Sequence, residues 1–338
     1  MSGRSIKEVA ALAGFSPATV SIVLNGKPGV SEATRKKVQA VIDELDYAPN
    51  PNPRRLRLNK TFHFVLLHDY TQYIDDSFYV DLNHRLLIEC SKANYDLVHT
   101  SKWAEDGSLM LPDTIRARDV DGIIATSALP KNICDSIAEL KIPMVFVDCY
   151  RPSEQFGCVV PDYRQIGASA VQSLLSRGHR DIAYFGDYKT VEYSALLDGY
   201  LDAMALAGIE PRKEWIMTEC RGEQDVDACI GTLREQAQQP TAIFCCADIY
   251  AINVIRSLKK RGVPVPGNVS VISVDDIKLA RYMDPALTTV HVNREEMGRM
   301  AVQQLLAMLD GAAPVEYYVT NNYLVERESV QTMGSSSL

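Results

Sequence analysis

The 338-residue sequence has no apolar run of the roughly 18 or more residues needed for a membrane-crossing helix, so no span is expected. Its eight cysteines form no C-x-x-C pair, which leaves no basis for a zinc ribbon or a redox pair. Most sit in apolar runs such as AIFCCA (Ala242–Ala247), as reduced, buried thiols do. The phosphate-cradling G-x-x-x-x-G-K-[ST], the dinucleotide-binding G-x-G-x-x-G and the zinc-binding H-E-x-x-H are all absent. The six histidines are dispersed, and the Asp-Asp pairs at Asp75–Asp76 and Asp275–Asp276 are loop neighbours that seldom converge on one reacting bond. No catalytic residue, cofactor or metal is expected. The N-terminus MSGRSIKEVAALAG lacks the basic-then-apolar layout of a signal peptide, which predicts a cytoplasmic protein.

Charge is unevenly spread. Residues 1–61 carry ten Lys/Arg against five Asp/Glu, a net +5. The rest carries 25 basic against 38 acidic residues, a net −13. A small basic head on a large acidic body suits a protein that docks one end on a polyanion.

Three short helices with their caps are legible in the head. Ser5 with Glu8 forms a capping box for the first, whose apolar face is Ile6, Val9, Ala10 and Ala13, and Gly14 suits the C′ stop. Ser16 caps the second, with Pro17 at its first position and Val20, Val23 and Leu24 inward. Ser31 caps the third, with Val38, Val41, Ile42 and Leu45 inward. Two helices across a tight turn make a helix-turn-helix, whose second helix lies in the DNA major groove. On that helix Pro17, Ala18, Ser21, Ile22 and Asn25 point away from the packed side. An apolar side chain at Ile22 can meet a thymine methyl.

The stretch SIKEVAALAGFSPATVSIVLNGKPGVSEATRKKVQAVIDELDYAPN resembles the DNA-binding head of the lactose-repressor (LacI/GalR) family. The resemblance implies a DNA-contact set of Ser16, Pro17, Ala18, Thr19, Ser21, Ile22, Asn25, Ser31 and Thr34, continued by Tyr47 and Asn50. Many members carry arginine where this chain has Ile22, so the guanine pairing of that arginine is absent. In the family the following segment folds as a hinge helix in the minor groove. Leu56 would be the wedge between bases, flanked by Arg54, Arg55 and Arg57. Pro51 and Pro53 stand where helix formers are usual, so this hinge is shorter or less ready to form.

From residue 62 onward, apolar runs (FHFVLLH, YDLVHT, DGIIAT, PMVFVD, DIAYFG, AIFCCA, VSVISV) alternate with helical periods, which argues parallel sheets wrapped by helices. The runs fall into two groups around Asp162, predicting two lobes and a ligand cleft between them. GHRDIAYFGD, VPGNVSVISVDDIKLARYMDPALTTV and MGRMAVQQLL resemble the family's body, which is built like a periplasmic sugar-binding protein. The expected class is therefore α/β: a three-helix head plus two doubly wound parallel-sheet lobes. The expected domains are a head at 1–48, a hinge at 49–61, a body at 62–330 and a tail at 331–338. The N-lobe would take about 62–161 and 292–320, and the C-lobe about 162–290 and 322–330. The lobe crossings would fall near Pro161, Thr289–Val292 and Val319–Asn322.

By family position, Phe78, Tyr79, Asp148, Cys149, Arg221 and Asp275 would line the cleft. Leu196 and Ala247 replace an arginine and an asparagine usual there, and Asp248 reads as a helix cap. The polar set that remains is acidic, which argues against an anionic ligand. The expectation is a ligand-responsive repressor that binds a pseudo-palindromic double-stranded operator as a homodimer. Its effector would be a sugar, and its genes those of carbohydrate uptake or catabolism. A nucleoside- or amine-sensing regulator, an activator of the same build, and a binding protein without DNA function stay open. The tail VQTMGSSSL has no heptad pattern, so no coiled-coil tetramer is expected.

Overall fold

The computed structural model describes residues 6–24, 29–45, 62–67, 77–104, 108–151, 153–186, 191–219 and 222–334. The chain divides into Met1–Phe62 and His63–Leu338.

The first unit holds α1 (Ile6–Ala13), α2 (Pro17–Leu24) and α3 (Glu32–Glu44). Val9, Ala10, Val20, Val23, Val38 and Ile42 close on one another as its core, with Ala13, Val41 and Leu45 packed against them. Gly14 ends α1 at φ +73°, a conformation open to a residue without Cβ, and the Phe15 amide turns back to the Ala10 carbonyl at 3.0 Å. Ser16 and Ser31 cap α2 and α3: each Oγ accepts an amide three residues on, from Thr19 at 3.1 Å and Thr34 at 3.2 Å. Ser5 and the Glu8 side chain, expected to box α1, lie outside the described residues.

The second unit carries β1 (Phe62–Leu67), α4 (Ser77–Lys92), β2 (Tyr95–Thr100), β3 (Lys102–Trp103), β4 (Leu109–Met110) and α5 (Asp113–Arg116). Then come β5 (Gly122–Ala125), α6 (Lys131–Glu139), β6 (Met144–Val147) and β7 (Gly157–Pro161). Next are α7 (Tyr163–Ser176), β8 (Ile182–Phe185), α8 (Val191–Leu206), β9 (Ile216–Met217), α9 (Glu223–Arg234) and β10 (Ala242–Cys245). The series ends with α10 (Asp248–Lys260), β11 (Ser270–Asp275), β12 (Thr288–His291), α11 (Arg294–Leu309), β13 (Glu316–Val319) and β14 (Tyr323–Val325).

Two six-stranded sheets result, ordered β13-β7-β6-β5-β1-β2 and β14-β12-β11-β10-β8-β9. Leaving out β13 and β14, both run second-first-third-fourth-fifth in order of appearance. This is a doubly wound arrangement with its switch point between β1 and β5 and again between β8 and β10. The central strands β5, β6, β7, β8 and β10 are continuous apolar runs because both faces are covered, while the edge strand β2 is half exposed. In the first sheet Phe64, Leu66, Ile124, Val145 and Val147 enter one core, while their neighbours Val65, Leu67, Ile123, Met144 and Phe146 enter another. That split is the period-two alternation of a pleated strand.

The chain leaves the first sheet after β7, returns after β12, and leaves again after β13. The first two passages use one local device. Asp162 and Asn293, with φ/ψ of −76°/78° and −77°/79°, each cap the helix that follows; their side chains accept the amides of Gln165 (3.0 Å) and Glu296 (2.9 Å). Five residues past each cap stands a glycine in close contact. A Cβ on Gly167 would lie 2.4 Å from the Leu196 carbonyl oxygen, and one on Gly298 3.2 Å from the Arg85 backbone.

Candidate functional site

On the head, Pro17 and Ala18 are exposed, while Ser21 and Ile22 are half-buried. Among the described residues, Ile22 lies outside the cluster that forms the head's core. The Ser16 and Thr19 hydroxyls lie 3.0 Å apart, and those of Ser31 and Thr34 2.8 Å apart. The expected DNA contacts Thr19, Ser31 and Thr34 are thus already tied into two S-x-x-T boxes at helix N-termini. There the backbone itself favours an anion. Asn25, Tyr47, Asn50, Arg54, Leu56 and Arg57, with Pro51 and Pro53, lie outside the described residues, as does Arg221 of the body set.

In the body, Asp148 and Asp275 emerge at the C-terminal ends of adjacent-lobe strands β6 and β11. Each sits in the left-handed region, at φ +58° and +116°. Non-glycine residues there are strained and persist where the surroundings over-determine them. Asp148 is buried. Its Oδ2 accepts the Tyr79 hydroxyl at 2.9 Å and its Oδ1 the Tyr163 hydroxyl at 2.5 Å. Burial, then the charges of Asp148, Asp275 and Glu192, push the Tyr163 phenol well above its ordinary range, so it stays a donor. Glu192, at the start of α8, accepts the Tyr150 amide at 2.8 Å. Neither Tyr163 nor Glu192 was expected from the sequence. Tyr163 brings a phenol onto the Asp148 carboxylate, and Glu192 holds the backbone two residues beyond it.

The turn after β11 is held from several sides. Asp276, also left-handed at φ +54°, receives the His291 ring nitrogen at 3.0 Å and Arg327 at 2.5 Å on its two carboxylate oxygens. Burial pushes this carboxyl up, but those two hydrogen bonds outweigh it and hold it at about 2. The Asp276 amide donates to Thr289 Oγ1 at 3.3 Å. Asp248 does not cap α10 with its side chain, contrary to the sequence expectation; Ala247 is the cap residue and receives no side-chain bond. Instead the wholly buried Asp248 carboxylate accepts the Ile277 amide (2.9 Å), Thr289 Oγ1 (2.7 Å) and the Ser273 hydroxyl. Burial pushes its carboxyl up to about 6 against those opposing bonds.

Of the other expected cleft residues, Phe78 is buried edge-on to Tyr79, with ring centroids 5.3 Å apart. Cys149 is buried, and burial followed by the Glu192 charge carries its thiol up to about 12, so it is no nucleophile at neutral pH. Leu196 is completely buried, its carbonyl against Gly167, and Ala247 is nearly so; in this structure neither presents a side chain to a solute. Among the described residues no group of His, Cys, Asp or Glu is placed to hold a metal ion. None of their helices is long and apolar enough to cross a membrane. A groove of about 770 Å³ lies elsewhere, between α9 and α10, but its charges are already engaged: Arg261 with Asp227 at 2.6 Å, and Lys260 with Glu223 at 3.3 Å.

A helix-turn-helix head and a two-sheet body with polar groups at its strand ends define a DNA-binding regulator with a ligand-sensing body. The comparisons with known proteins agree. Residues 5–50 match the model of bacterial regulatory proteins of the lacI family, and residues 171–330 that of the periplasmic binding protein-like domain. The HTH-type transcriptional repressor PurR of Photobacterium profundum is 31% identical, over 97% of this chain and 99% of its own length. The ribose operon repressor of Haemophilus influenzae is 28% identical, again over 97% and 99%. Among solved structures, a transcriptional regulator CelR–cellobiose complex superposes with a TM-score of 0.69 at 27% identity, over 96% of this chain and 99% of that one. An Enterococcus faecium LacI family regulator with bound ribose has a TM-score of 0.69 at 23% identity, over 81% and 100%, a likeness of fold. The chain belongs to the lacI family of bacterial regulatory proteins: it is a ligand-responsive, DNA-binding transcriptional repressor.

Proposed function

We propose that the cleft between the two sheets of the body takes a neutral, hydroxyl-rich effector, a sugar, and that its occupancy alters the grip of the head on DNA. The observation that carries this reading is the pair of left-handed aspartates at the C-terminal ends of β6 and β11, Asp148 and Asp275, with the Tyr163 hydroxyl donating to Asp148 at 2.5 Å. Carboxylates accept hydroxyl hydrogen bonds and repel a phosphate. Open doubly wound sheets bind ligands at strand C-termini, where Asp148 and Asp275 stand. Relatives named for ribose and cellobiose favour the same class. Tyr79, only partly buried, supplies a ring face, with Phe78 backing it edge-on. The Tyr193–Tyr250 edge-to-face pair, with centroids 6.3 Å apart at the starts of α8 and α10, favours a nucleoside as the second reading.

The head would read one half-site through Pro17, Ala18 and Ile22, and two heads would read a pseudo-palindrome. Val80 and Leu87, 65% and 47% exposed and seven residues apart on α4, support pairing of two bodies. The domain limits that go with this reading are head 1–48, hinge 49–61, body 62–330 and tail 331–338.

Titration calorimetry of the full chain with D-ribose, D-cellobiose, D-ribose 5-phosphate and adenosine tests the cleft. A neutral sugar should bind, and Asp275→Asn should weaken it about tenfold or more, the order expected for losing a charged hydrogen bond. Preference for the phosphate, or indifference to both Asp275→Asn and Asp148→Asn, would overturn the assignment. Adenosine alone binding would select the second reading. A gel-shift assay on promoter-region DNA at two salt concentrations tests the head, since phosphate contacts weaken steeply as salt rises.

A further inference from the structure

Arg294 is the first residue of α11, directly after the Asn293 cap, and is only 5% exposed. A cation at a helix N-terminus is set against the helix's own partial positive charge. The position is therefore poor for helix stability, and what offsets it lies in the contacts of the guanidinium. Nε donates to Asp81 Oδ2 at 2.8 Å, and the carbon of the guanidinium lies 5.1 Å from the Phe78 ring centroid; both partners are on α4, beside the first sheet. Its two terminal nitrogens donate to the carbonyls of Asp275 (2.5 Å) and Asp276 (3.2 Å), at the end of β11 in the second sheet.

We infer that Arg294 is the positioning residue of the cleft: a single planar fork sets the Asp275 turn on one wall against the start of α4, which carries Tyr79, on the other. The inference rests on the reading of Asp275 and Tyr79 as effector contacts. The carbonyl bonds keep the Asp275–Asp276 turn in its left-handed form and so aim the Asp275 carboxylate. The cation over the Phe78 ring and the ion pair with Asp81 fix the first turn of α4. Lysine has the charge but not the fork, and cannot serve both walls at once. Tyr163 stands at the matching first position of α7, after the Asp162 cap, and also reaches across, to Asp148. The two crossing helices thus each spend their first side chain on linking the lobes.

Hydrogen exchange of the ligand-free full chain, followed by mass spectrometry, tests this without knowledge of the effector. Arg294→Lys should speed exchange about tenfold, the scale of one lost charged hydrogen bond. The change should appear in peptides covering 77–86 and 272–280 together, with 296–309 unchanged. Arg299→Lys, one turn further on and paired with Glu296, should change neither peptide. Faster exchange confined to α11 would mean a purely local role and overturn the inference. Should Arg294→Lys fail to fold, Asp81→Asn replaces it. Asp81 also feels the Lys278 charge, so Lys278→Gln is measured beside it; Asp81→Asn should speed exchange at 272–280 well beyond Lys278→Gln, and an equal or absent change overturns the inference. If exchange responds as expected while Asp275→Asn leaves sugar binding untouched, the effector assignment fails and the link stands.

Discussion

The phenol of Tyr163, on the first residue of α7, donates to Asp148 Oδ1 at 2.5 Å and so joins a helix of the second lobe to the end of a strand in the first. Tyr79 takes the other oxygen at 2.9 Å. One buried carboxylate therefore anchors aromatic donors from both lobes.

Tyr163→Phe removes the more buried of these donors and leaves a charged acceptor short of a partner. The variant is expected to lose about 1.5–3 kcal/mol of stability in urea denaturation. Tyr79→Phe, at the more exposed oxygen, should lose less. Equal and negligible losses would show that Asp148 is satisfied without them.

Asp276 gives a pH-dependent contribution. Its carboxyl is held at about 2 in the folded chain against 3.8 when free. A depressed carboxyl stabilises the fold fully above the free value, and that stabilisation is lost as pH falls through the folded one. The shift corresponds to about 2 kcal/mol. Asp276→Asn should therefore be less stable than the parent by about that amount at neutral pH. The gap should narrow as pH drops below about 4. Urea denaturation at a series of pH values measures it.

The crossing of α7 and α8 depends on two missing side chains. A Cβ on Gly199 would lie 2.1 Å from the Arg164 carbonyl oxygen and 2.7 Å from the Ala168 nitrogen, both backbone atoms that cannot swing away. Gly199→Ala is expected to cost more than about 2 kcal/mol by forcing the helices apart. Gly222→Ala meets nothing within 4 Å and serves as the control in the same thermal melts.

In the head, capping and reading should separate. Ser16→Ala removes the acceptor of the Thr19 amide and should destabilise the head by about 1 kcal/mol. Ile22→Ala, outside the core cluster, should leave the melt unchanged and weaken specific more than nonspecific DNA binding. The pair is checked by circular dichroism and gel shift on the same preparations.

Local signals were legible because local chemistry sets them. The stops and caps at Gly14, Ser16 and Ser31 follow from backbone geometry a few residues wide, and apolar runs such as DGIIAT and PMVFVD became strands buried on both faces, whereas YDLVHT became a half-exposed edge strand. Asp148 and Asp275 could be picked out because they end such runs. Asp248 was misread for the opposite reason. An aspartate before a helix suits a cap, but tertiary folding brings Ser273, Thr289 and Ile277 to it instead. Tyr163, Glu192 and Arg294 act on partners up to 213 positions away, which no periodicity reveals. A signal for two of them was nonetheless present. DYRQIG and NREEMG share a cap residue followed five positions later by glycine, and in both the residue after the cap is the one that reaches across.

The turn at Asp275–Ile277 is tethered at two carbonyls, two amides and the Asp276 carboxylate. Such a rim is a mould cast before its guest arrives. A small molecule seating against it gives up its own freedom but freezes little of the protein's, so few atoms suffice for a firm hold. The adaptable part of recognition would then fall to positions outside this rim, and a shift in ligand preference would be engineered there first.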